Sequence, residues 1–365
     1  MTITNKRAAV AVAAALSLLV SACGKEDDTT ATPATDTTTT TQVSSTGTTT
    51  PGQETTTEES GSAEPTTTMV AAGYPVTVKN CGVTVEVKEK PTHVVTLNQG
   101  ATELVLALGA ADQMAGTAYL DDEIDPSVKD AYDTIPVLSD KYPSQEKFLS
   151  VKPDLALASY NSAFGEKGVG SREELAALGI NTYVDGFACQ DKSQRATVSW
   201  DSIYGEVSQV GRLLGRDDQA ATIVARGTNT LAEIEQARPA EGKTIFWYDS
   251  GGREESKAPF VGGNAGGPAL IMEAVGATNI FSGIDGGWGD GSWETVLQAN
   301  PDYIVLADAS WDTAEEKKEF LTSNALTKDL DAVQNGRFIV VPFAESTPGV
   351  HLVDGAAKVA DGVKK

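Results

Sequence analysis

From about residue 74 the chain alternates between two hydrophobic rhythms. Apolar residues fall at every second position over 76–78 and 83–87, on either side of Asn80-Cys81-Gly82, which predicts a β-hairpin. The short apolar run at 94–97 reads as a buried strand, and 101–108 as a helix closed by Gly109. A second buried strand follows at 155–158, then a short helix over 173–178 stopped by Gly179, then a strand over 180–184. This β-α-β alternation calls for a parallel sheet covered by helices. Between 199 and 237 no strand pattern intervenes. Ile203, Val207, Val210, Leu213 and Leu214 recur at helical spacing, followed by Ile223, Leu231 and Ile234. One long helix, or two collinear ones broken at Gly215-Arg216-Asp217, is expected, with Pro239 beyond the end. Alternation then resumes with strand 244–248, helix 268–275, strand 303–307, helix 315–321, strand 338–341 and a final helix from about 350. The predicted fold class is α/β: two lobes with mainly parallel sheets, at 74–198 and 240–365, joined by a long helix over 199–239.

A repeat ties the two halves together. Residues 144–154 and 292–302 both read Ser-x-Glu-x-apolar-Leu-x-x-(Lys/Asn)-Pro-Asp, and both lead straight into an apolar strand. The shared physics is a Ser N-cap, a short helix, and a Pro-Asp break that turns the chain into the sheet. The spacing is about half the folded length, which suggests two similar lobes, since solenoid units are far shorter. Chance likeness of two helix-to-strand junctions is the alternative.

The chain before 74 has a different character. Lys6 and Arg7 precede an apolar run from 8 to 20, too short for a membrane-spanning helix, which ends in Val20-Ser21-Ala22-Cys23-Gly24. Small residues just before a Cys look like a bacterial lipoprotein signal over 1–22, with Cys23 acylated and mature; the alternative is an ordinary secretory signal with an incidental Cys. An acylated Cys23 would hold the protein on the extracytoplasmic face of the cell membrane. Residues 23–73 are dominated by Thr with Ser, Gly, Pro and Glu, a composition that buries too little apolar surface to order itself. They are expected to form a disordered Thr-rich tether with a reach of about 40 Å.

Charge and composition narrow the function. Lys and Arg number 28 against 51 Asp and Glu, a formal net charge of −23, which argues against a nucleic-acid partner. The 2 His and 3 Cys make a histidine-built zinc enzyme, a Cys-rich zinc fold or an iron–sulfur protein poor fits, and neither a metal site nor a cofactor is expected. The chain has no Gly-x-Ser-x-Gly turn or Walker loop, so a cell-surface hydrolase is the weaker alternative. Once Cys23 is acylated, Cys81 and Cys189 remain, and in an exported protein they suggest a disulfide rather than two free thiols.

Two α/β lobes joined by a long helix, behind a lipoprotein signal, resemble the class III substrate-binding proteins of ABC importers, which deliver iron–siderophores, haem, cobalamin and similar bulky chelates. The resemblance runs from about 74 to 363. It is carried by 94–97 with Ala101-Thr102-Glu103-Leu104 and Ala107-Leu108-Gly109, by 151–158, by Gly276-Ala277-Thr278-Asn279-Ile280-Phe281, and by Trp288, Ser292-Trp293-Glu294 and 300–305. It implies a non-enzymatic receptor, expected to be a monomer, with ABC permease subunits and an iron chelate or similar compound as partners. A haem-binding receptor or chaperone is the alternative. In the family one Glu per lobe docks onto permease arginines, and Glu146 and Glu294 stand at those positions in the repeat. Otherwise each is only an early-helix anion favoured by the helix dipole.

Open α/β sheets bind ligands beyond their strand C-termini, so the loops there supply the candidate cleft. The first lobe offers Asn98, Gln99, Tyr119, Asp121, Lys141, Tyr142 and Tyr160. The second offers Tyr248, Asp249, Arg253, Trp288, Trp311 and Glu345. Aromatic faces suit a bulky planar or catecholate ligand, and Lys141 and Arg253 would meet its anionic groups; part of the aromatic set is alternatively lobe packing. His351 is read as a surface or helix-end residue rather than a haem ligand, and His93 as structural.

Overall fold

The computed structural model describes residues 73–253 and 257–364. The signal segment, Cys23 and all but the last residue of the tether lie outside the described residues. The first lobe opens with the expected hairpin, β1 (Val76–Asn80) paired antiparallel to β2 (Val83–Val87). Then follow β3 (Val94–Leu97), α1 (Gln99–Ala107), β4 (Met114–Ala118), α2 (Lys129–Tyr132), β5 (Val137–Ser139), α3 (Gln145–Ser150), β6 (Leu155–Ala158), α4 (Arg172–Ala177) and β7 (Asn181–Val184). The five strands from β3 to β7 form an all-parallel sheet in the order β5-β4-β3-β6-β7. Both its faces are buried, as a strand such as Leu-Ala-Leu-Ala requires. Leu155 and Leu157 join a cluster with Val105, Leu108 and Val210, while Ala156 and Ala158 join Leu97, Phe148 and Leu175 on the other side.

Two helices connect the lobes, α5 (Trp200–Leu214) and α6 (Asp217–Ala237). They do not continue one another. Gly215 adopts φ 62°, a left-handed turn open to glycine, and the chain doubles back. A Cβ on Gly211 would lie 2.5 Å from Ala220 Cβ, and one on Gly227 would lie 2.5 Å from Tyr204 Oη, so the contacts run in antiparallel register. The expected rod over 199–239 is therefore a helical hairpin. Its glycines, which weaken a helix pattern in sequence, are the points of close approach. The long helix joining the lobes is α6, with 21 residues. Ala220 near its start packs in a first-lobe cluster, and Leu231 and Ile234 near its end pack in a second-lobe cluster.

The second lobe comprises β8 (Thr244–Gly251), β9 (Pro259–Gly262), α7 (Gly266–Val275), β10 (Thr278–Asn279), β11 (Trp288–Asp290), α8 (Trp293–Ala299), β12 (Tyr303–Asp308), α9 (Ala314–Ser323), α10 (Asp331–Gln334), β13 (Phe338–Pro342) and α11 (Leu352–Gly362). Its sheet runs β11-β9-β8-β12-β13, with β10 also on β8. Strands β8, β10, β12 and β13 are parallel, but β9 and β11 form an antiparallel edge absent from the sequence reading. Pro-Phe-Val-Gly and Trp-Gly-Asp carry no alternation, so only pairing, β9 with β8 and β11 with β9, makes them strands.

The repeated motif is repeated structure. Ser144 and Ser292 each cap their helix, accepting from the backbone N–H of Lys147 and Thr295. Lys152 (φ 54°) and Asn300 (φ 41°) each take the left-handed conformation before the Pro-Asp. Asp154 accepts from the backbone N–H of Thr92 (2.7 Å), and Asp302 from that of Thr244 (2.9 Å). Each aspartate thus anchors the segment at the start of its lobe's central strand. Cys81, in the β1–β2 turn, is joined to Cys189 beyond β7, with the sulfurs 2.05 Å apart.

Candidate functional site

In the first sheet the chain builds outward from β3 to β4 and β5, then returns to place β6 on the opposite side of β3. The crevice beyond β3 and β6 is the topological switch point at which such sheets receive ligands. A cleft of about 330 Å³ opens there between the lobes. Gln99 and Tyr160 line it from the first lobe, Trp288 and Phe343 from the second. A contiguous chamber of about 360 Å³ shares Gln99 and Phe343. The lobes touch across this region: the backbone N–H of Ser310 donates to the Asp122 carboxylate at 3.0 Å.

The structure gathers the first-lobe candidates into one network. Asn98 is fully buried with φ 80°; its amide donates to Tyr142 Oη (3.1 Å) and its Oδ1 accepts from the Tyr160 N–H (3.3 Å). Gln99 is also buried, donating to Glu103 (2.9 Å) and accepting from the Asp122 N–H (2.7 Å). Both hold the strand-end loops in place. Tyr119 meets Tyr142 edge-on with ring centroids 4.7 Å apart, and Lys141 Nζ stands 4.3 Å from the centre of the Tyr119 ring. Tyr160 Oη donates to Asp121 at 3.0 Å. Burial pushes the Tyr160 phenol upward, reinforced by the Asp121 charge, and burial likewise raises the Asp121 carboxyl. Of this network Gln99, Asp121 and Tyr160 line the 330 Å³ cleft.

The second-lobe candidates divide. Trp288 lines the cleft from β11, stacked on Phe343 with centroids 6.4 Å apart, and the half-exposed Trp311 packs edge-on against the same Phe343 at 5.0 Å. Tyr248 is not a ligand contact. It is fully buried, lies against Phe246 and Trp293, and donates to the Gly251 carbonyl, because β8 is central and both its faces are covered. Arg253 is taken by ion pairs with Asp312 and, at 3.6 Å, Glu316. Glu345 is buried in a salt bridge with Lys358 (2.7 Å on Oε2). Asp249 accepts from Ser250 Oγ (2.8 Å) and lies outside the residues that line the cleft.

Several lining residues escaped the sequence reading. Phe187 follows β7 and Phe343 follows β13, so the strand-end rule that found Tyr160 pointed to both. Glu103 and His351 carry no such signal, since only the approach of the lobes brings His351 Nε2 within 4.0 Å of Glu103 Oε2. His351 does sit at a helix end, but it is buried rather than on the surface. Burial opposes its charged form, yet Asp354, Glu103 and Asp125 outweigh that and lift its pKa.

Asp185, on the cleft wall, is hydrogen-bonded to Glu206 beneath it. Burial raises the Asp185 carboxyl to about 6, and burial together with the Asp185 charge raises Glu206 well above the usual carboxylate range. Unfolded, both titrate near 4. The native state therefore binds extra protons between these limits, and the pair's contribution to stability, full below about pH 4, is lost as pH rises through about 6 and beyond. Glu206→Gln is expected to flatten that decline. Urea midpoints followed from pH 4 to 8 in both proteins would reveal it; a wild-type midpoint rising relative to the mutant would contradict the assignment.

Glu146 and Glu294 are both exposed at the second position of equivalent helices, α3 and α8, one per lobe.

Residues 94–345 match the periplasmic binding protein family. The chain belongs to that family. A Bacillus subtilis relative described as an uncharacterized ABC transporter substrate-binding lipoprotein, YvrC, is 23% identical over 80% of this chain and 86% of its own length. A periplasmic binding protein from Veillonella parvula superposes with a TM-score of 0.66 at 32% identity, covering 79% of this chain and 96% of its own. A protein of an ABC-type Fe3+-hydroxamate transport system from Saccharomonospora viridis gives 0.64 at 25% identity, covering 80% and 99%. The family binds solutes and is not a family of enzymes.

Proposed function

We propose that this chain is the extracytoplasmic receptor of an ABC importer, held to the membrane through Cys23, which captures an iron–siderophore or similarly bulky chelate between its lobes and hands it to the permease. The observation that carries this reading is the interlobe cleft, lined from both lobes by the aromatic residues Tyr160, Trp288 and Phe343. A cavity walled by aromatic residues with a few polar groups suits a large, partly apolar ligand. The relative named as a lipoprotein and the neighbour named for Fe3+-hydroxamate transport point the same way. In the terminal segment, small residues just before Cys23 supply the acylation site.

The test is direct titration of the mature protein with a ferric trihydroxamate, a ferric catecholate, cobalamin and haemin, read by tryptophan fluorescence. At least one is expected to bind. Trp288→Ala and Tyr160→Ala should each weaken that binding by about 1–3 kcal/mol while leaving the circular dichroism spectrum unchanged. Unchanged affinity in both variants would put the ligand elsewhere.

A further inference from the structure

Carboxylates outnumber every other ionisable group in the cleft. Glu103, Asp121 and Asp185 line it. No Lys or Arg stands among the described residues that line it. The cations that sequence and fold place nearby are already engaged. Arg253 pairs with Asp312, Lys358 with Glu345, and Lys317 is wholly buried, donating to the carbonyls of Ala307 and Asp312. Lys141 stands over the Tyr119 ring, outside the lining. The contiguous chamber continues the same sign, with Asp122, Asp125 and Asp308 on its walls.

A second observation is independent of these acids. His351 lines the cleft at 5% exposure, and its Nε2 has no hydrogen-bond partner, since Glu103 Oε2 at 4.0 Å is beyond hydrogen-bond reach. A buried ring nitrogen left unpaired costs free energy, and it is the kind of group a bound molecule satisfies. The walls add a third element, because Tyr160, Trp288 and Phe343 are aromatic, and an aromatic face carries a negative quadrupole that attracts organic cations.

On these grounds we propose that the cleft selects a positively charged ligand, a chelate that carries an ammonium or comparable organic cation, and discriminates against anionic chelates. The inference rests on the receptor reading above and names the ligand class for that same cleft. An anionic ligand would be buried beside like charges with no Lys or Arg to meet it and with His351 already held between Glu103 and Asp354, whereas an ammonium would meet carboxylates and aromatic rings in a setting of reduced dielectric. The formal net charge of −23 extends the same preference to the approach of the ligand from solution.

The experiment uses two scaffolds, each in three charge states. One is a linear ferric trihydroxamate with its pendant amine free, acetylated or succinylated; the other is cobalamin bearing an added amine, unmodified, or bearing an added carboxylate. Each is titrated into the mature protein at low and high salt. Within any scaffold that binds, the amine form is expected to bind about tenfold or more tightly than the carboxylate form, with the gap narrowing at high salt. Asp121→Asn or Glu103→Gln should shrink the gap several-fold. Equal or tighter binding of the anionic form would overturn the proposal while leaving the receptor reading intact. A preference untouched by both substitutions would also overturn it, because the cation would then sit elsewhere. Binding of none of the six, together with none of the earlier panel, would bring down the receptor reading and this inference with it.

Discussion

A protein carrying both Glu146→Ala and Glu294→Ala is expected to bind its chelate as tightly as wild type and to lose nearly all uptake. The two carboxylates lie in the same local structure. Each occupies the first turn of a short helix with a serine cap, and each helix leads through a left-handed residue and a Pro-Asp into a central strand of its lobe. A receptor that addresses two permease halves needs one such feature per lobe. Both side chains are exposed and lie outside the residues lining the cleft, so their removal spares the ligand site and costs little stability. Ion pairs across a docking surface speed encounter and fix register, and close charge pairs of that kind have coupling energies of about 1.5–7 kcal/mol. Uptake at equal expression should fall by about tenfold or more in the double mutant and less in either single mutant. Normal uptake by the double mutant would refute the docking assignment even with the receptor reading intact.

The second large effect concerns stability. Cys81→Ser with Cys189→Ser, or reduction of the wild type, should lower unfolding free energy by about 4–5 kcal/mol in the chain-entropy account of a long closed loop. The bridged residues are 108 apart in sequence, and they tie the β1–β2 turn to the segment beyond β7. That junction is also held by Asn80, whose Oδ1 accepts from the Val184 N–H at 2.9 Å and whose amide donates to the Val184 carbonyl. The hairpin should therefore stay docked in the reduced protein at low denaturant, with the loss appearing mainly as a lower urea midpoint. Identical midpoints with and without reductant would sink this prediction.

The first-lobe site was the more legible because its central strands end where their apolar runs end. Runs such as Val-Val-Thr-Leu and Leu-Ala-Leu-Ala announce themselves, and the residues that follow them must lie at the sheet's C-terminal edge. Gln99 and Tyr160, which line the cleft, follow such runs, as does Asn98, which is buried outside the lining. The same rule applied to Tyr248 failed because β8 runs on to Gly251, three residues beyond the predicted end, and the tyrosine stays inside the lobe. Arg253 and Glu345 were misplaced for another reason. A charged residue near a strand end declares nothing about its partner, and Asp312 and Lys358 are supplied by other elements of the lobe.

The α/β alternation, the two equivalent lobes and the glutamate on each are legible in the chain alone. These follow from hydrophobic period, capping residues and a repeated motif, all written in neighbouring positions. That 199–239 folds back as a hairpin emerges from packing, since Gly211 and Gly227 acquire meaning when Ala220 and Tyr204 press against them. Packing alone decided that Glu103 and His351 share a cleft with Trp288 and Phe343. The physical reason is one of range: dihedral preference and periodicity act over a few residues, whereas the sign of a cleft's charge is a sum over groups that only packing brings within Coulombic reach.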